Sequence, residues 1–395
     1  MYSISVNNFL YTFLCPKKRA IRCPKCNSLN TKRYGKRFVA ALSKTVIRVA
    51  CKVCGFIGPI RAIAGIRATE ELCRIITRES LERASMRILA RRYGKARDTI
   101  MRIIHRVCET LPDSIGISKK FQPLWSGTLV FDGKVVRVYD RVTEKIDLKY
   151  LTEDERKWIH RMRWLCGIDY GTGDLPHYDL GESENMVDLV IYFQKLKSLK
   201  YPLTALICDG NPLIPRAARF VFGKQIIVQR CTRHFLEDLR RILPTEETER
   251  EKRRILEQLI LHIKSVIEAN NLDSAQCHLE SLKKYSDSID GPLKRSMLNM
   301  FKRTKVELSA HLLYPELKLP HTSNDIENLF KQLMQRLKTI GRFFHQTYAR
   351  DYLNAWALLR RFTPFTDCKG GRKHRNKKAP LELAGCEIQN IDPMK

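Results

Sequence analysis

Three acidic residues stand where a chain can gather carboxylates: Asp132 in Leu129-Val-Phe-Asp-Gly133, Asp209 in Ala205-Leu-Ile-Cys-Asp-Gly210, and Glu327 in Thr322-Ser-Asn-Asp-Ile-Glu-Asn-Leu-Phe330. Asp132 and Asp209 end apolar runs of β character, and Glu327 opens a helical run. Phosphodiester cleavage by two Mg2+ (or Mn2+) ions, about 3.5 to 4 Å apart, needs such a set. One ion activates the attacking hydroxyl and the other steadies the leaving oxygen, with carboxylates flanking and bridging both. Each acid also has a local alternative. Asp132-Gly133 is the dipeptide of a type I′ hairpin turn, Asp209-Gly210 suits a strand-to-loop turn, and Asn324-Asp-Ile-Glu327 has the spacing of a capping box, with Glu327 folded back on its own helix start. The local alternatives leave the joint order unexplained: strand acid, strand acid, helix acid.

The cysteines carry a second chemistry. Cys23-Pro-Lys-Cys26 and Cys51-Lys-Val-Cys54 are two Cys-x-x-Cys knuckles flanking a stretch of β character from Thr31 to Val49. Four thiolates at that spacing suit tetrahedral Zn2+, and so short a segment needs the ion's binding energy to fold. A redox Cys-x-x-Cys occurs once, in a βαβ context, not twice in a basic hairpin. Lys25, Lys32, Arg33, Lys36 and Arg37 stud this ribbon and are expected to meet phosphates. Cys231 and His234 lie one helical turn apart at a strand-to-helix junction. Two ligands alone do not make a zinc site, so bracing of the acidic site by hydrogen bonds is expected of them. Lys331, Arg336 and Lys338 follow Glu327 along its helix and would grip the scissile strand's phosphates, the alternative being a solvated face. Cys73, Cys108, Cys166, Cys208 and Cys277 sit singly in apolar segments, the pattern of packed thiols in a reducing compartment.

The elements that must position these groups divide the chain. At 395 residues and 44% hydrophobic content it is long enough for several domains with a substantial core. Residues 18–60 are expected to form the zinc ribbon. From Ala68 to about Leu111 apolar residues recur at helical spacing (Met86, Leu89, Ala90, Tyr93, then Ile100, Ile103, Ile104, Val107), broken by Gly94-Lys95. Two helices around a glycine turn, the second bearing Arg97, Thr99, Arg102 and Arg106, predict a helix-turn-helix DNA-binding domain over 61–118. A plain helical hairpin with a basic face is the alternative. Further on, strands are expected at 128–132, 134–139, 163–170, 177–180, 205–209 and 225–229, with helices at 185–198 and 212–222. Three hairpin-like strands, then helix, strand, helix, strand, is the topology of a ribonuclease H-like α/β core with a mixed sheet. Its first part would be 119–240 and its closing helix, with the third acid, 320–362. Between them 241–319 reads as an all-helical insertion with amphipathic runs at 248–269, 272–285 and 293–310. The end, 363–395, carries Lys369-Gly-Gly-Arg-Lys-His-Arg-Asn-Lys-Lys378 and is expected to be a mobile basic tail.

Seventy-two Lys and Arg against 42 Asp and Glu leave a formal charge of +30, which points to a polyanionic partner, double-stranded DNA foremost. No run approaches the ~20 apolar residues of a bilayer span, so no membrane partner is expected. Met1–Cys15 has no basic n-region and no small-residue cleavage site. A cytoplasmic, nucleoid-associated protein is the expectation.

The order Asp132, Asp209, Glu327, with Cys231-x-x-His234 after the strand that follows Asp209, a helical insertion next, and the closing Asn376-Lys-Lys-Ala-Pro-Leu-Glu-Leu-Ala-Gly385, resembles the DDE transposases of prokaryotic insertion sequences and the related Mutator-like elements. The resemblance spans Thr128 to Gly385. It implies that Asp132, Asp209 and Glu327 are the metal-binding triad of a transposase, which binds the ends of its element, cuts phosphodiester bonds and joins the freed 3′-OH to target DNA. It also implies a homodimer or higher assembly holding two ends. The rivals are a ribonuclease H-like nuclease or resolvase without strand transfer, and a domesticated DNA-binding regulator, against which the presence of all three acids speaks. Gly167-Ile-Asp-Tyr-Gly-Thr-Gly-Asp174 has the look of the phosphate loop of actin-like ATPases. No second phosphate loop or adenosine site accompanies it, and Tyr170–Asp174 is expected to be a hairpin loop.

Overall fold

The computed structural model describes residues 23, 26, 28–39, 44–59, 69–138, 161–340, 343 and 345–394; the expectations for Met1–Cys15, Lys25 and Tyr139 lie outside them. The chain divides into two units, 1–73 and 74–395.

In the first unit, β1 (Thr31–Val39), β2 (Lys44–Cys51) and β3 (Ile57–Pro59) form an antiparallel sheet in that order. The register of β1 on β2 shifts between Arg33 and Lys36. Gly35 lies in that shift with φ +101°, a conformation that costs a side-chain-bearing residue dearly. Residues 32–37 are all exposed, whereas Val49, Ala50, Cys51 and Cys23 are buried. So small an apolar set cannot offset the entropy of ordering the segment, and the four cysteines become the means of holding it.

The helix α1 (Glu70–Leu81) crosses the division, and the second unit continues with α2 (Met86–Arg92), α3 (Arg97–Thr110) and α4 (Ser114–Phe121). Ser85 caps α2 by accepting from Ile88 N (3.3 Å). The helices predicted around Gly94 are thus present, and within the second unit they pack against the rest of it. The apolar stripe of α3 (Ile100, Ile104, Cys108) is buried, α3 packs on α13 (Gln346–Phe362), and the His105 ring meets Tyr348 edge-on at 5.1 Å.

The centre of the second unit is a mixed five-stranded sheet in the order β6 (Tyr178–Gly181), β5 (Arg161–Asp169), β4 (Thr128–Arg137), β7 (Ala205–Cys208), β8 (Ile227–Arg230). The first three strands pair antiparallel; β4, β7 and β8 pair parallel. Every residue of β7 is buried, as a parallel strand covered on both faces requires. One face packs under α5 (Met186–Ser198) and α6 (Leu213–Phe222), where Leu129, Phe131, Leu206 and Cys208 meet Tyr192, Phe193, Ile214 and Ala217. The opposite face takes α12 (Asn324–Ile340) and α13: the Trp164 ring lies 5.9 Å from both Phe330 and Trp356. Beyond β8, α7 (Thr232–Arg241), α8 (Arg250–Ile267), α9 (Leu272–Asp287) and α10 (Pro292–Leu308) enclose their own core around Leu259, Ile263, Met297 and Phe301. Buried Gln229 on β8 ties this insertion to the sheet, donating to Leu308 O (3.1 Å) and accepting from His311 N (2.9 Å) in the short helix α11 (Ala310–Leu313).

Two further expectations are corrected. The strands 128–132 and 134–139 are one strand, since β4 pairs with β5 without a break through Asp132↔Cys166 and Gly133↔Leu165. Asp132-Gly133 is therefore no hairpin turn. The end of the chain is not a mobile tail: Arg375 is buried and donates to Tyr170 O (2.5 Å) and Gly171 O (3.2 Å), Arg372 pairs with Asp325, and Leu381, Ala384 and Ile388 pack on Ile117 and Leu358. The apolar Ala-Pro-Leu-Glu-Leu-Ala segment outweighs its basic neighbours. Among the described residues, no helix is long and apolar enough to cross a membrane.

Candidate metal centres and nucleic-acid interface

The four predicted ribbon cysteines converge. Their sulfurs all lie within 4.8 Å of one another, with Cys23 Sγ to Cys54 Sγ and Cys26 Sγ to Cys51 Sγ both 3.6 Å. A tetrahedron with Zn–S of about 2.3 Å has edges of about 3.8 Å, so the set fits Zn2+ with little movement. The Val53 amide donates to Cys51 Sγ (3.4 Å), which steadies a thiolate ligand.

The two strand acids come side by side across the sheet, whereas Glu327 groups with Cys231 and His234. Parallel pairing of Leu129 with Leu206 and Val130 with Ile207, carried two residues further, sets Asp132 level with Asp209 on the neighbouring strand. Pairing of Cys208 with Arg230 is extended by Cys231 N donating to Cys208 O (2.8 Å), which puts Cys231 beside Asp209. Cys166 lies on the other side of Asp132. Because Phe131 and Cys208 point into the core under α5 and α6, the alternation along each strand turns Asp132 and Asp209 to the opposite face, on which α12 packs. Adjacent strands are about 4.8 Å apart, close enough for two carboxylates to feel each other. Burial first, then the charge of Asp209, pushes the Asp132 carboxyl up to about 7. That is a site short of positive charge.

Glu327 reaches the same face from the first turn of α12. The loop before it is tied to the start of α7 by Thr232 N donating to His321 O (2.9 Å). The carboxylate accepts from Ser323 Oγ (3.1 Å), pairs with Arg233, and stands 3.8 Å from His234 Nε2. Its partners are thus side chains of α7 and Ser323, not the amide of its own helix start that a capping box requires. Asp209 keeps its local role as well: its Oδ1 accepts from Asn211 N (2.9 Å), a turn-type bond. Cys231 and His234 lie at this edge, beside Glu327. Ser323 donates to Cys231 Sγ from both N (3.3 Å) and Oγ (3.2 Å). Burial raises the Cys231 thiol, but hydrogen bonds from His234 and Ser323 outweigh it and hold the thiol below its ordinary value. The bond to Cys231 in turn carries His234 up to about 9.

Two neighbours of the acids escaped the sequence reading. Glu184 follows β6 and lies directly over Gly133, where an added Cβ would stand 2.1 Å from its Oε1. The glycine after Asp132 thus admits a fourth carboxylate instead of making a turn. Burial, and then the charge of Asp209, raise the Glu184 carboxyl against the lowering effect of Arg163. Arg233, inside the Cys-x-x-His segment, holds Glu327. Neither has a spacing signal, because their relation to the acids is set by tertiary packing.

The predicted phosphate contacts divide. Lys32 and Arg33 on β1, Arg97, Arg102 and Arg106 on α3, and Lys331 and Lys338 on α12 are exposed; Thr99 is half-buried. Arg336 is corrected: it is buried, donating to Tyr352 OH (2.6 Å) and Ser80 Oγ (3.0 Å), and grips no phosphate. Asp209 also borders a cleft flanked by Arg216, Arg219, Lys224 and Arg230. The Asp169–Asp174 segment is structural. Asp169 is wholly buried and accepts from Ser126, Gly127, Thr172 and Tyr201, while Asp174 forms a fully buried two-pronged pair with Arg361 at 2.8 Å. With both carboxylates taken, the loop joining β5 to β6 offers no phosphate cradle.

No family model matches the chain, and no curated protein matches it.

Proposed function

We propose that this protein is a DDE-type DNA transposase whose mixed sheet is a ribonuclease H-like core, and that Asp132, Asp209 and Glu327 hold its catalytic Mg2+. One observation carries the reading: Asp132 on β4 stands level with Asp209, the residue just past the end of the adjacent parallel strand β7, while a third acid comes to the same face on α12. The strand order 3-2-1-4-5 within the sheet, with the first three antiparallel, and the helical insertion between the second and third acids support it. So does the raised Asp132 carboxyl, which a divalent ion beside Asp209 would return to its charged form.

Bound there, the ions would activate the attacking hydroxyl and steady the leaving oxygen. Asp132 and Asp209, on a rigid sheet, would set the position of that chemistry. Glu327 would close the site from α12, giving up Arg233, whose guanidinium is then free to face a phosphate. Arg216, Arg219 and Lys224 beside Asp209 would follow the DNA backbone, and the exposed arginines of α3 and the basic β1 would bind the element's ends. Two ends must be held together, so a homodimer or higher assembly on DNA is part of the proposal.

The test is incubation of the protein with Mg2+ and a plasmid carrying the DNA that flanks its gene. Breaks at the element borders and joined products are expected, and Asp209→Asn should lower them by several orders of magnitude. Breaks with no joined product would support a nuclease without strand transfer. Border cleavage unchanged in Asp209→Asn would defeat the proposal.

A further inference from the structure

Cys231, His234 and Glu327 come from the end of β8, the first turn of α7 and the first turn of α12. Their ligand atoms all lie within 4.8 Å of one another. We propose that these three side chains form a second metal site, separate from the four-cysteine cluster, which takes a thiophilic divalent cation of the Zn2+ class.

The geometry is close to what such an ion needs. One sulfur at about 2.3 Å and one nitrogen and one oxygen at about 2.0 to 2.1 Å from a tetrahedral ion stand about 3.3 to 3.6 Å apart. His234 Nε2 and Glu327 Oε1 are 3.8 Å apart and need to draw in by only a few tenths of an ångström. The two oxygens of Glu327 are sorted: Oε2 is held by Arg233, and Oε1 faces His234 and Ser323. Oε1 is therefore the ligand here, and Oε2, which Arg233 holds in the metal-free chain, is the oxygen left to turn toward the strand acids once Arg233 lets go.

The sulfur is prepared in the same way as at the ribbon. There Val53 N donates to Cys51 Sγ (3.4 Å); here Ser323 N donates to Cys231 Sγ (3.3 Å), joined by Ser323 Oγ. Amide donors of this kind orient a thiolate ligand and share its charge. The donor set decides the ion. A sulfur and an imidazole nitrogen with one carboxylate favour Zn2+ or Co2+ over Mg2+, which prefers oxygen throughout. Three protein ligands leave a fourth tetrahedral position for water or a further oxygen, unlike the closed four-cysteine set. The expectation from two ligands, that Cys231 and His234 merely brace, omitted Glu327, which lies 93 positions beyond His234 (327 − 234) and joins them through the fold.

This site does not depend on the nuclease reading, because it is tested by metal binding and not by cleavage. Co2+ is titrated into reduced full-length protein whose four-cysteine cluster already holds Zn2+. One further ion should bind, with the near-ultraviolet thiolate-to-cobalt charge-transfer band of a single Co–S bond. Cys231→Ser should abolish that band and His234→Ala should weaken Co2+ binding at least tenfold, while Lys284→Ala, exposed on α9, leaves both unchanged. A wild-type chain that binds no second ion with that band overturns the proposal, and this readout needs no variant to fold. A band that persists in folded Cys231→Ser overturns it as well.

Discussion

The four-cysteine cluster and the acid site solve the same problem, gathering negative ligands, by opposite means. The cysteines come from two short knuckles at one end of a three-stranded sheet, and among the described residues around them the buried apolar side chains besides Cys23 and Cys51 are Val49 and Ala50. The acids come from β4, β7 and α12, and each is placed by a sheet and helices that would pack without them. The first site makes its fold; the second is made by its fold. Metal should therefore be a folding partner in one region and a late addition in the other.

The largest effect should follow from breaking the first half of this comparison. Cys51→Ser should cost the ribbon its Zn2+ and its structure, since structural Zn2+ contributes on the order of 10 kcal/mol to such a fold. The unit 74–395 should melt as before. Metal analysis with limited proteolysis checks both, and a metal-free N-terminal unit with unchanged protease resistance would mean that the ribbon has a core of its own.

Next comes the scaffold of the acid site. Arg361 and Asp174 are fully buried partners joining α13 to the hairpin after β5. Arg361→Ala, which leaves a buried carboxylate unpaired, should destabilise the second unit by roughly 3 to 5 kcal/mol with no change in zinc content. Thermal melts at matched pH with metal analysis would show it. A loss of zinc would mean that the two regions fold together.

The acid site should also strain the metal-free fold. Burial and the charge of Asp209 raise Asp132 to about 7, so between about pH 4 and 7 the folded chain keeps a proton that the unfolded chain releases. Stability is lost as pH rises through that window. Asp132→Asn should then raise stability at pH 8, by on the order of 2 kcal/mol, leave it unchanged near pH 4, and lose its advantage when Mg2+ is added to the wild type. Denaturant melts across pH test the sign; an Asn variant less stable at pH 8 contradicts it. The smallest effects belong to exposed cations. Lys331→Ala and Lys338→Ala should each weaken DNA binding a few-fold and lower the salt slope by about 1, measured by anisotropy at several salt concentrations.

The difference between the sites also explains what was legible in the sequence. The ribbon is a local pattern, so residue types and spacing identified all four ligands, and the sulfurs meet as expected. The strand acids were legible because an apolar run ending in Asp marks a buried strand reaching its rim. The long helices 248–269, 272–285 and 293–310 were legible from periodicity, as α8, α9 and α10 confirm. What failed were particular inferences from local charge and turn composition. The basic end folds because Leu381 and its neighbours pack. Arg336 is buried because Tyr352 and Ser80 receive it. Gly133 interrupts nothing because it serves Glu184. Charge in a sequence does not say which side chains tertiary packing will claim.

Glu327 is where the account is most exposed, because a capping role and a metal-ligand role make opposite predictions for one substitution. Glu327→Gln keeps the shape and the hydrogen-bonding reach of the side chain but removes its charge. Melting temperature and DNA binding are expected to be unchanged, with Mg2+-dependent cleavage at the element borders reduced by several orders of magnitude. Near-normal cleavage by a folded Glu327→Gln protein would contradict it, and would make Glu327 a structural residue.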